Sequence, residues 1–141
     1  MVVANPARIA AILRQARVIA VVGLSPRPDR PSHAVSSYMQ AQGYRILPIN
    51  PNCSEILQES CYPSLLDLPE GSTIDIVNIF RRSEAVGPIV GQAIQIGARC
   101  VWMQEGVSNP QAADKAAEAG LEVVMNRCIM RDHRAFVQKS S

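Results

Sequence analysis

The segment from Arg17 to His33 constrains the fold more than any other part of this sequence. It begins with a continuous apolar run, Val18–Val22, which leads directly to Gly23. A loop rich in proline and arginine follows, and a new helix signal begins at Ser32. This pattern predicts a buried strand of a parallel sheet, then a tight loop, then a helix N-terminus. Backbone N–H groups and the helix dipole at such a junction attract phosphate, so the segment predicts a site for a phosphorylated ligand.

A chain of 141 residues with 48% hydrophobic content favours one packed domain, residues 1–141, with its core at about 6–135 and a short C-terminal tail. The 4% aromatic content indicates an aliphatic core. The net charge of +2 is too small to indicate the concentrated basic face that nucleic-acid-binding proteins present. No apolar run reaches the roughly 18 residues that a membrane span requires. We therefore expect neither a nucleic-acid nor a membrane partner.

The cysteines indicate the compartment. No Cys-x-x-Cys pair occurs among them, which predicts free thiols in a reducing cytoplasm for Cys53, Cys61, Cys100 and Cys128. The two histidines are far apart in the sequence, so we expect no metal site.

Five apolar stretches alternate with helical patterns. They predict strands at Val18–Val22, Tyr44–Ile49, Ile74–Phe80, Arg99–Met103 and Leu121–Met125. Such alternation is typical of a three-layer, Rossmann-like α/β domain, in which a parallel five-stranded sheet carries helices on both faces. We expect the strand order 3-2-1-4-5, with a ligand above the carboxyl ends of the first and fourth strands.

Capping signals predict helices that begin after Asn5, at Ser32 and after Asn109. The tail from Asn126 is too polar and short to predict another layer, and we expect only Ile129 and Phe136 to dock it on the core.

Glycine and polar residues follow four of the predicted strands. Because the carboxyl ends of parallel strands share one rim, we expect these residues to converge on one cleft. The candidates for ligand contact are Gly23, Ser25, Arg27, Arg30, Asn50, Pro51, Phe80, Arg81, Gln104 and Gly106. Glycine lets the backbone approach a phosphate, serine and arginine donate to it, and a phenylalanine ring can lie beside adenine. The same residue types also occur in ordinary turns and on solvated surfaces, so each keeps a structural alternative.

The motifs also exclude several kinds of site. The loop after the first strand lacks Gly-x-Gly-x-x-Gly, and the second strand ends in Asn50-Pro51, where a dinucleotide site presents an acid to the ribose. Neither a Walker loop nor a Gly-x-Ser-x-Gly elbow is present, and no catalytic residue is identified. An NAD(P)-binding, oxidoreductase-like protein and a nucleotide-gated protein-interaction module are the alternatives that stay open.

Several short motifs resemble those of the stand-alone CoA-binding domain family. They include residues 21–26, 30–33, 43–44, 48–51, 61–65, 101–107 and 126–128, and the resemblance covers about residues 10–135. That family is similar to the nucleotide-binding domain of the succinyl-CoA synthetase alpha subunit. The resemblance implies a Rossmann-like fold with CoA across the strand ends, and it assigns ligand contacts to all of the candidates above except Arg27, where relatives often carry lysine. The synthetase phosphohistidine belongs to a further domain, so no ligase chemistry is carried over.

These observations predict a small cytoplasmic protein that binds CoA or acyl-CoA, without an evident catalytic centre and with an acyl-transfer enzyme as a partner. One thiol deserves separate mention. Cys53 lies two residues after Pro51 and is the cysteine nearest in sequence to the predicted cleft, so it is a candidate for a mixed disulfide with CoA; the alternative is a half-buried, unreactive thiol.

Overall fold

The computed structural model describes residues 2–137. In chain order the strands are β1 (Val18–Val22), β2 (Arg45–Ile49), β3 (Glu55–Ile56), β4 (Glu59–Ser60), β5 (Ile76–Ile79), β6 (Cys100–Met103) and β7 (Glu122–Met125). The α-helices are α1 (Pro6–Gln15), α2 (Pro31–Ala41), α3 (Val86–Gln95), α4 (Pro110–Glu118) and α5 (Ile129–Phe136), and short 3-10 turns occupy Leu65–Asp67 and Ser83–Ala85. Within residues 2–137, no helix has the length and apolar character needed to cross a membrane.

The five main strands form one all-parallel sheet in the order β2-β1-β5-β6-β7, and β3 and β4 form a separate hairpin. The Rossmann-like α/β fold is therefore confirmed. The predicted strand order 3-2-1-4-5 is wrong, because the main strands, counted along the chain, lie in the order 2-1-3-4-5. The winding reverses between β1 and β5 and not between the first and fourth strands, so a crevice is expected in such a sheet at the carboxyl ends of β1 and β5.

Pro48 explains why β2 is an edge strand. A proline has no N–H for a strand ladder and is therefore confined to sheet edges or bulges. The outer side of β2 is occupied by Tyr62, whose N–H donates to the Pro48 carbonyl (3.0 Å) and whose carbonyl accepts from Asn50 N–H (2.9 Å). The outer side of β2 is thus already bonded to Tyr62, and β5 pairs with the side of β1 that faces away from β2.

Two buried clusters hold the layers together. Alternate residues of β1 face opposite sides: Ala20 and Val22 belong to the cluster under α3 and α4, whereas Ile19 and Val21 belong to the cluster under α1, α2 and α5. Burying an aliphatic side chain of this size contributes about 1.5–3 kcal/mol, so the sheet is stabilised from both faces.

The tail forms a helix, which the sequence analysis did not predict. α5 buries Ile129, Asp132 and His133, which recur at a helical spacing, and Phe136 packs against the same cluster. The expected docking through Ile129 and Phe136 is thus present, but as part of a full helix that packs on α1 and α2. Arg127 makes the buried carboxylate tolerable, since its Nε and Nη2 donate to the two oxygens of Asp132 at 2.7 and 3.0 Å.

The helix starts divide into two kinds. The side chains of Asn5 and Asn109 accept hydrogen bonds from first-turn N–H groups and cap α1 and α4 as predicted. Ser32 is not a cap, because α2 begins one residue earlier, at Pro31, with Arg30 in the N-cap position. The hydroxyl oxygen of Ser32 accepts instead from Ser25 N–H (3.0 Å) and ties the preceding loop to the helix.

Candidate functional site

A cleft of about 700 Å³ opens at the carboxyl edge of the sheet, between the N-terminal halves of α2 and α5. We call it the α2–α5 cleft. Its floor and walls include Val35, Phe80, Arg81, Gln104, Cys128 and Met130. Three of the ten predicted contact residues, Phe80, Arg81 and Gln104, therefore line one cavity, which lies over the ends of β5 and β6.

Gly23 packs against the segment that follows β5. Its N–H donates to the Ile49 carbonyl (3.1 Å), and its φ of +88° lies in the left-handed region. A Cβ at this position would come within 2.5 Å of the Phe80 carbonyl oxygen and 3.0 Å of Arg81 Cδ. Glycine is therefore needed here for the close approach of two strand ends, whether or not a ligand binds.

Ser25 organises the loop between β1 and α2. Its N–H is bound by Ser32, and its hydroxyl oxygen accepts from Arg27 N–H (3.1 Å), which leaves its hydroxyl hydrogen as the donor available to a ligand. The guanidinium of Arg27 pairs with Asp29 at 3.1 Å on the surface. Arg30 is exposed and has no ion pair or side-chain hydrogen bond among residues 2–137.

Asn50 ties the end of β2 to the end of β1. Its Nδ2 donates to the Leu24 carbonyl (2.9 Å), and its Oδ1 accepts from Asn52 N–H (2.7 Å). Pro51 is exposed in the turn between them. Neither Asn50 nor Pro51 lines the α2–α5 cleft, so the structure places both beside it rather than in it.

Two neighbouring arginines after β5 differ in their partners. Arg82 pairs with Glu84 at 3.6 Å. Arg81 lines the cleft, is exposed, and has no ion pair within the described part of the chain. Its charge is therefore available to an anion, and the half-buried ring of Phe80 lies next to it in the sequence.

Gln104 is the most buried polar residue of the cleft, with 6% of its surface exposed. Its Oε1 accepts from Ile129 N–H, the first N–H of α5, at 3.4 Å. Its Nε2 has no partner among residues 2–137. Gly106, two residues later, lies outside the cleft lining, and its N–H already donates to Asn126 Oδ1 (2.8 Å).

The two helices that flank the cleft both begin without a side-chain cap. Neither the side chain of Arg30 at the start of α2 nor that of Cys128 at the start of α5 accepts from a first-turn N–H. The N–H groups of Met130 and Arg131 have no partner among residues 2–137. Unsatisfied N–H groups and the positive ends of two helix dipoles make this rim attractive to anions and carbonyl oxygens.

Sequence reasoning missed the residues that α2 and α5 contribute to the cleft: Val35, Cys128, Met130 and Arg131. The signal for the last three was the spacing of Ile129, His133 and Phe136, which is that of one helix face. Arg131 also fixes the rim, because its Nη1 donates to Glu105 at 2.7 Å.

Cys53, the cysteine nearest in sequence to the predicted cleft, does not line the α2–α5 cleft. Cys53 and Cys61 are half-buried beside the β3–β4 hairpin, where burial and the neighbouring Cys53 raise the pKa of Cys61. Cys128 is the cysteine that lines the cleft. Sequence distance failed as a guide because the hairpin leads the chain away from the sheet after Asn50.

Comparisons with known proteins identify the family. Residues 17–134 match the model of the CoA binding domain family. YneT of Bacillus subtilis is 43% identical over 131 residues, which are 92% of this chain and 96% of YneT. Acetate–CoA ligase [ADP-forming] II of Archaeoglobus fulgidus is 30% identical over 103 residues, which cover 71% of this chain and 15% of that ligase.

Solved structures agree. A hypothetical protein from Pyrococcus horikoshii OT3 superposes with a TM-score of 0.91 and 40% identity over 95% of this chain and 93% of its own. Prb, the PH1109 protein redesigned for binding, gives a TM-score of 0.92 and 39% identity over 97% and 95%. On the match of residues 17–134 and the near full-length likeness to YneT, this chain belongs to the CoA-binding domain family.

Proposed function

We propose that this protein binds CoA or acyl-CoA, with the pantetheine arm in the α2–α5 cleft and the phosphates at the loops beside it. The observation that carries the proposal is one rim that combines unpaired hydrogen-bond donors with a mostly apolar cavity. CoA has a matching division: an anionic nucleotide at one end and a largely apolar arm with two amide groups at the other. A cavity of about 700 Å³ falls within the range of small-molecule sites.

The charged part of the ligand is matched by cations that have no ion pair with any residue the structure describes. Arg30 stands at the start of α2, and Arg81 stands at the end of β5, next to Gly23. Charge-assisted bonds from guanidinium groups to phosphate oxygens are among the stronger hydrogen bonds in proteins. The Ser25 hydroxyl supplies a further donor on the same loop.

The uncharged part is matched by the cavity itself. Val35, Phe80 and Met130 present apolar surface to the arm. The Nε2 of Gln104, which has no partner among residues 2–137, supplies the donor that an amide carbonyl requires. An amide-containing apolar chain therefore suits this cavity better than a purely hydrocarbon one.

A thioester ligand implies a partner that makes or consumes thioesters, so we include an acyl-transfer enzyme as the protein partner. We also assign the protein to the cytoplasm, where four unpaired cysteines stay reduced. Asn50 offers no carboxylate to a ribose, which disfavours the NAD(P)-binding alternative.

Isothermal titration of the full chain with CoA tests this function. We expect one CoA per chain, and we expect Arg81→Ala to weaken binding about tenfold, the effect of losing one charge-assisted bond. Arg99→Ala is the matched control, because Arg99 lies at the opposite edge of the sheet beside Asp75 and should leave the affinity unchanged. Absence of binding at millimolar CoA, tighter binding of NADH than of CoA, or equal losses in the two variants would each refute the proposal.

A further inference from the structure

Cys128 occupies a position that none of the other three cysteines shares. It is the N-cap residue of α5, only 8% exposed, and it lines the α2–α5 cleft. Cys53 and Cys61 lie beside the β3–β4 hairpin. Cys100 is fully buried at the amino end of β6, where burial raises its pKa to about 12. Only Cys128 combines a thiol with access to the proposed ligand cavity.

Hydrogen-bond donors lie in the same cavity as the Cys128 thiol. The side-chain amide of Gln104 is held against the first N–H of α5, in the residue that follows Cys128. This contact leaves Nε2 as a donor without a partner among residues 2–137, in the cavity that Cys128 also lines. The N–H groups of Met130 and Arg131 also have no partner in the described part of the chain. Together these donors fit a carbonyl oxygen, and more strongly one that carries negative charge.

We propose that Cys128 accepts the acyl group of a bound acyl-CoA by thioester exchange. The inference rests on the proposed function, since it requires the sulfur end of the ligand to reach this part of the cleft. The Cys128 sulfur forms a bond to the thioester carbonyl carbon, and the bond from that carbon to the CoA sulfur breaks. The thiol proton leaves to solvent and a proton returns to the CoA thiolate, so the products are S-acyl-Cys128 and free CoA, and no oxidant or reductant is involved.

The same donors favour the exchange over simple binding. In the tetrahedral intermediate the former carbonyl oxygen is negatively charged, and Gln104 Nε2 with the free N–H groups of α5 stabilises that charge. The two nearby carboxylates are in ion pairs, Glu105 with Arg131 and Asp132 with Arg127. Their negative charge is therefore compensated and does not oppose formation of the Cys128 thiolate. The thiolate is the attacking form, as for other cysteine nucleophiles.

The full chain, reduced and then incubated with acetyl-CoA, tests the inference by intact mass and peptide mapping. We expect one hydroxylamine-labile acetyl group per chain, located on Cys128, with release of one equivalent of CoA. Cys128→Ala should abolish the label, and Cys61→Ala, which removes a thiol outside the cleft, should not change it. Gln104→Leu should slow labelling by about 100-fold, as expected for loss of one oxyanion donor.

A nucleotide-free donor separates guided exchange from chance reactivity. S-acetyl-N-acetylcysteamine carries the same thioester without the phosphates, and it should label Cys128 at least about tenfold more slowly at equal concentration, because it lacks the proposed charge-assisted contacts. Equal rates from both donors, or acetylation of Cys53 or Cys61 instead, would overturn the inference. CoA titration keeps the two proposals apart: CoA binding without acetylation removes this inference alone, whereas absence of binding removes both.

Discussion

Both edges of the sheet have a cavity lined by charged and polar residues, but the hydrogen bonds and ion pairs of these residues differ. The amino edge contains a cavity of about 440 Å³ lined by four charged residues, Arg8, Asp75, Arg99 and Glu122, as many as line the α2–α5 cleft. Charged groups at the amino edge are already bonded within the protein. Arg8 pairs with Glu122, and Asp75 accepts from the backbone N–H groups of Arg17 and Val18 at 2.8 and 2.9 Å. At the carboxyl edge, Arg30, Arg81 and Gln104 Nε2 have no such partners among residues 2–137.

The difference teaches that the number of charged residues around a cavity does not identify a binding site in this fold. Groups that are already paired within the protein contribute to its stability, and they would have to lose those bonds to bind a ligand. Groups left open gain bonds when the ligand arrives. We therefore expect substitutions at the amino edge to change stability, and substitutions of the open groups at the carboxyl edge to change affinity.

The largest effect should come from Gly23→Ala. The new Cβ would meet the Phe80 carbonyl at 2.5 Å in a backbone with φ of +88°, so strain and overpacking together should lower the free energy of unfolding by about 3–4 kcal/mol. Gly106→Ala is the control, since its φ is +90° but nothing lies within 4 Å of the new Cβ, and it should cost about 1 kcal/mol. Equal losses in urea denaturation would show that packing against β5 is unimportant.

Asp75→Ala should have the next largest effect and lower the free energy of unfolding by about 3 kcal/mol. Two backbone N–H groups lose a charged acceptor in a half-buried setting. The folded protein should keep its affinity for CoA, measured by titration at a temperature where the variant is folded. A weakened affinity with unchanged stability would contradict the proposed division between the two edges.

A smaller effect should follow from acid. Burial lowers the pKa of His133, which is 5% exposed, bonds through Nδ1 to the Tyr38 hydroxyl (2.8 Å), and shares a small cavity with Arg14 and Arg17. Because the native state binds this proton less readily than the unfolded chain, the stability that neutral His133 provides is complete above about pH 6.5 and is lost as the pH falls towards the lowered native value.

Urea denaturation between pH 7.5 and about 5 measures this loss. His133→Gln should flatten the dependence, and His33→Gln, which changes the other histidine, should retain it. Since α5 carries both His133 and the wall of the cleft, CoA affinity should weaken over the same interval. An unchanged slope in His133→Gln would assign the acid sensitivity to other groups.

The smallest effect should distinguish two arginines of one loop. Arg30→Ala should weaken CoA binding about fivefold, whereas Arg27→Ala should change it less than about twofold, because Arg27 is already paired with Asp29 and exposed pairs contribute little. Titrations of both variants at low and high salt provide the measurement. A larger loss in Arg27→Ala would show that the ligand displaces the Asp29 pair.

Local sequence signals predicted most helices and strands, but they did not predict how distant strands pair in the sheet. The predicted start of α1 and the predicted bounds of β1 match the structure because Asn5, the proline after it and the apolar run to Val22 act within a few residues. The strand order depended on which side of β1 receives β5, and the evidence for that, Pro48 with Tyr62 at its outer side, joins segments far apart in the chain.

The candidate site was predicted in outline for the same reason. Phe80, Arg81 and Gln104 follow strands directly, so the sheet alone brings them together. Cys128 and Met130 reach the cleft because α5 packs on α1 and α2, which are far from it in the sequence, and the ion pair of Arg127 with the buried Asp132 lies at the start of this helix. Asn50 and Ser32 have the residue types of a ligand site but use their side chains to hold loops.

Trp102 gives this protein a built-in optical probe. It is the only tryptophan in the sequence, it is fully buried in β6, and its indole N–H donates to the Arg127 carbonyl at 2.8 Å. That carbonyl immediately precedes the thiol-bearing wall, so any shift of the wall alters the polarity around the indole and hence its emission. Rapid-mixing fluorescence can therefore time the arrival of a small molecule without an attached dye.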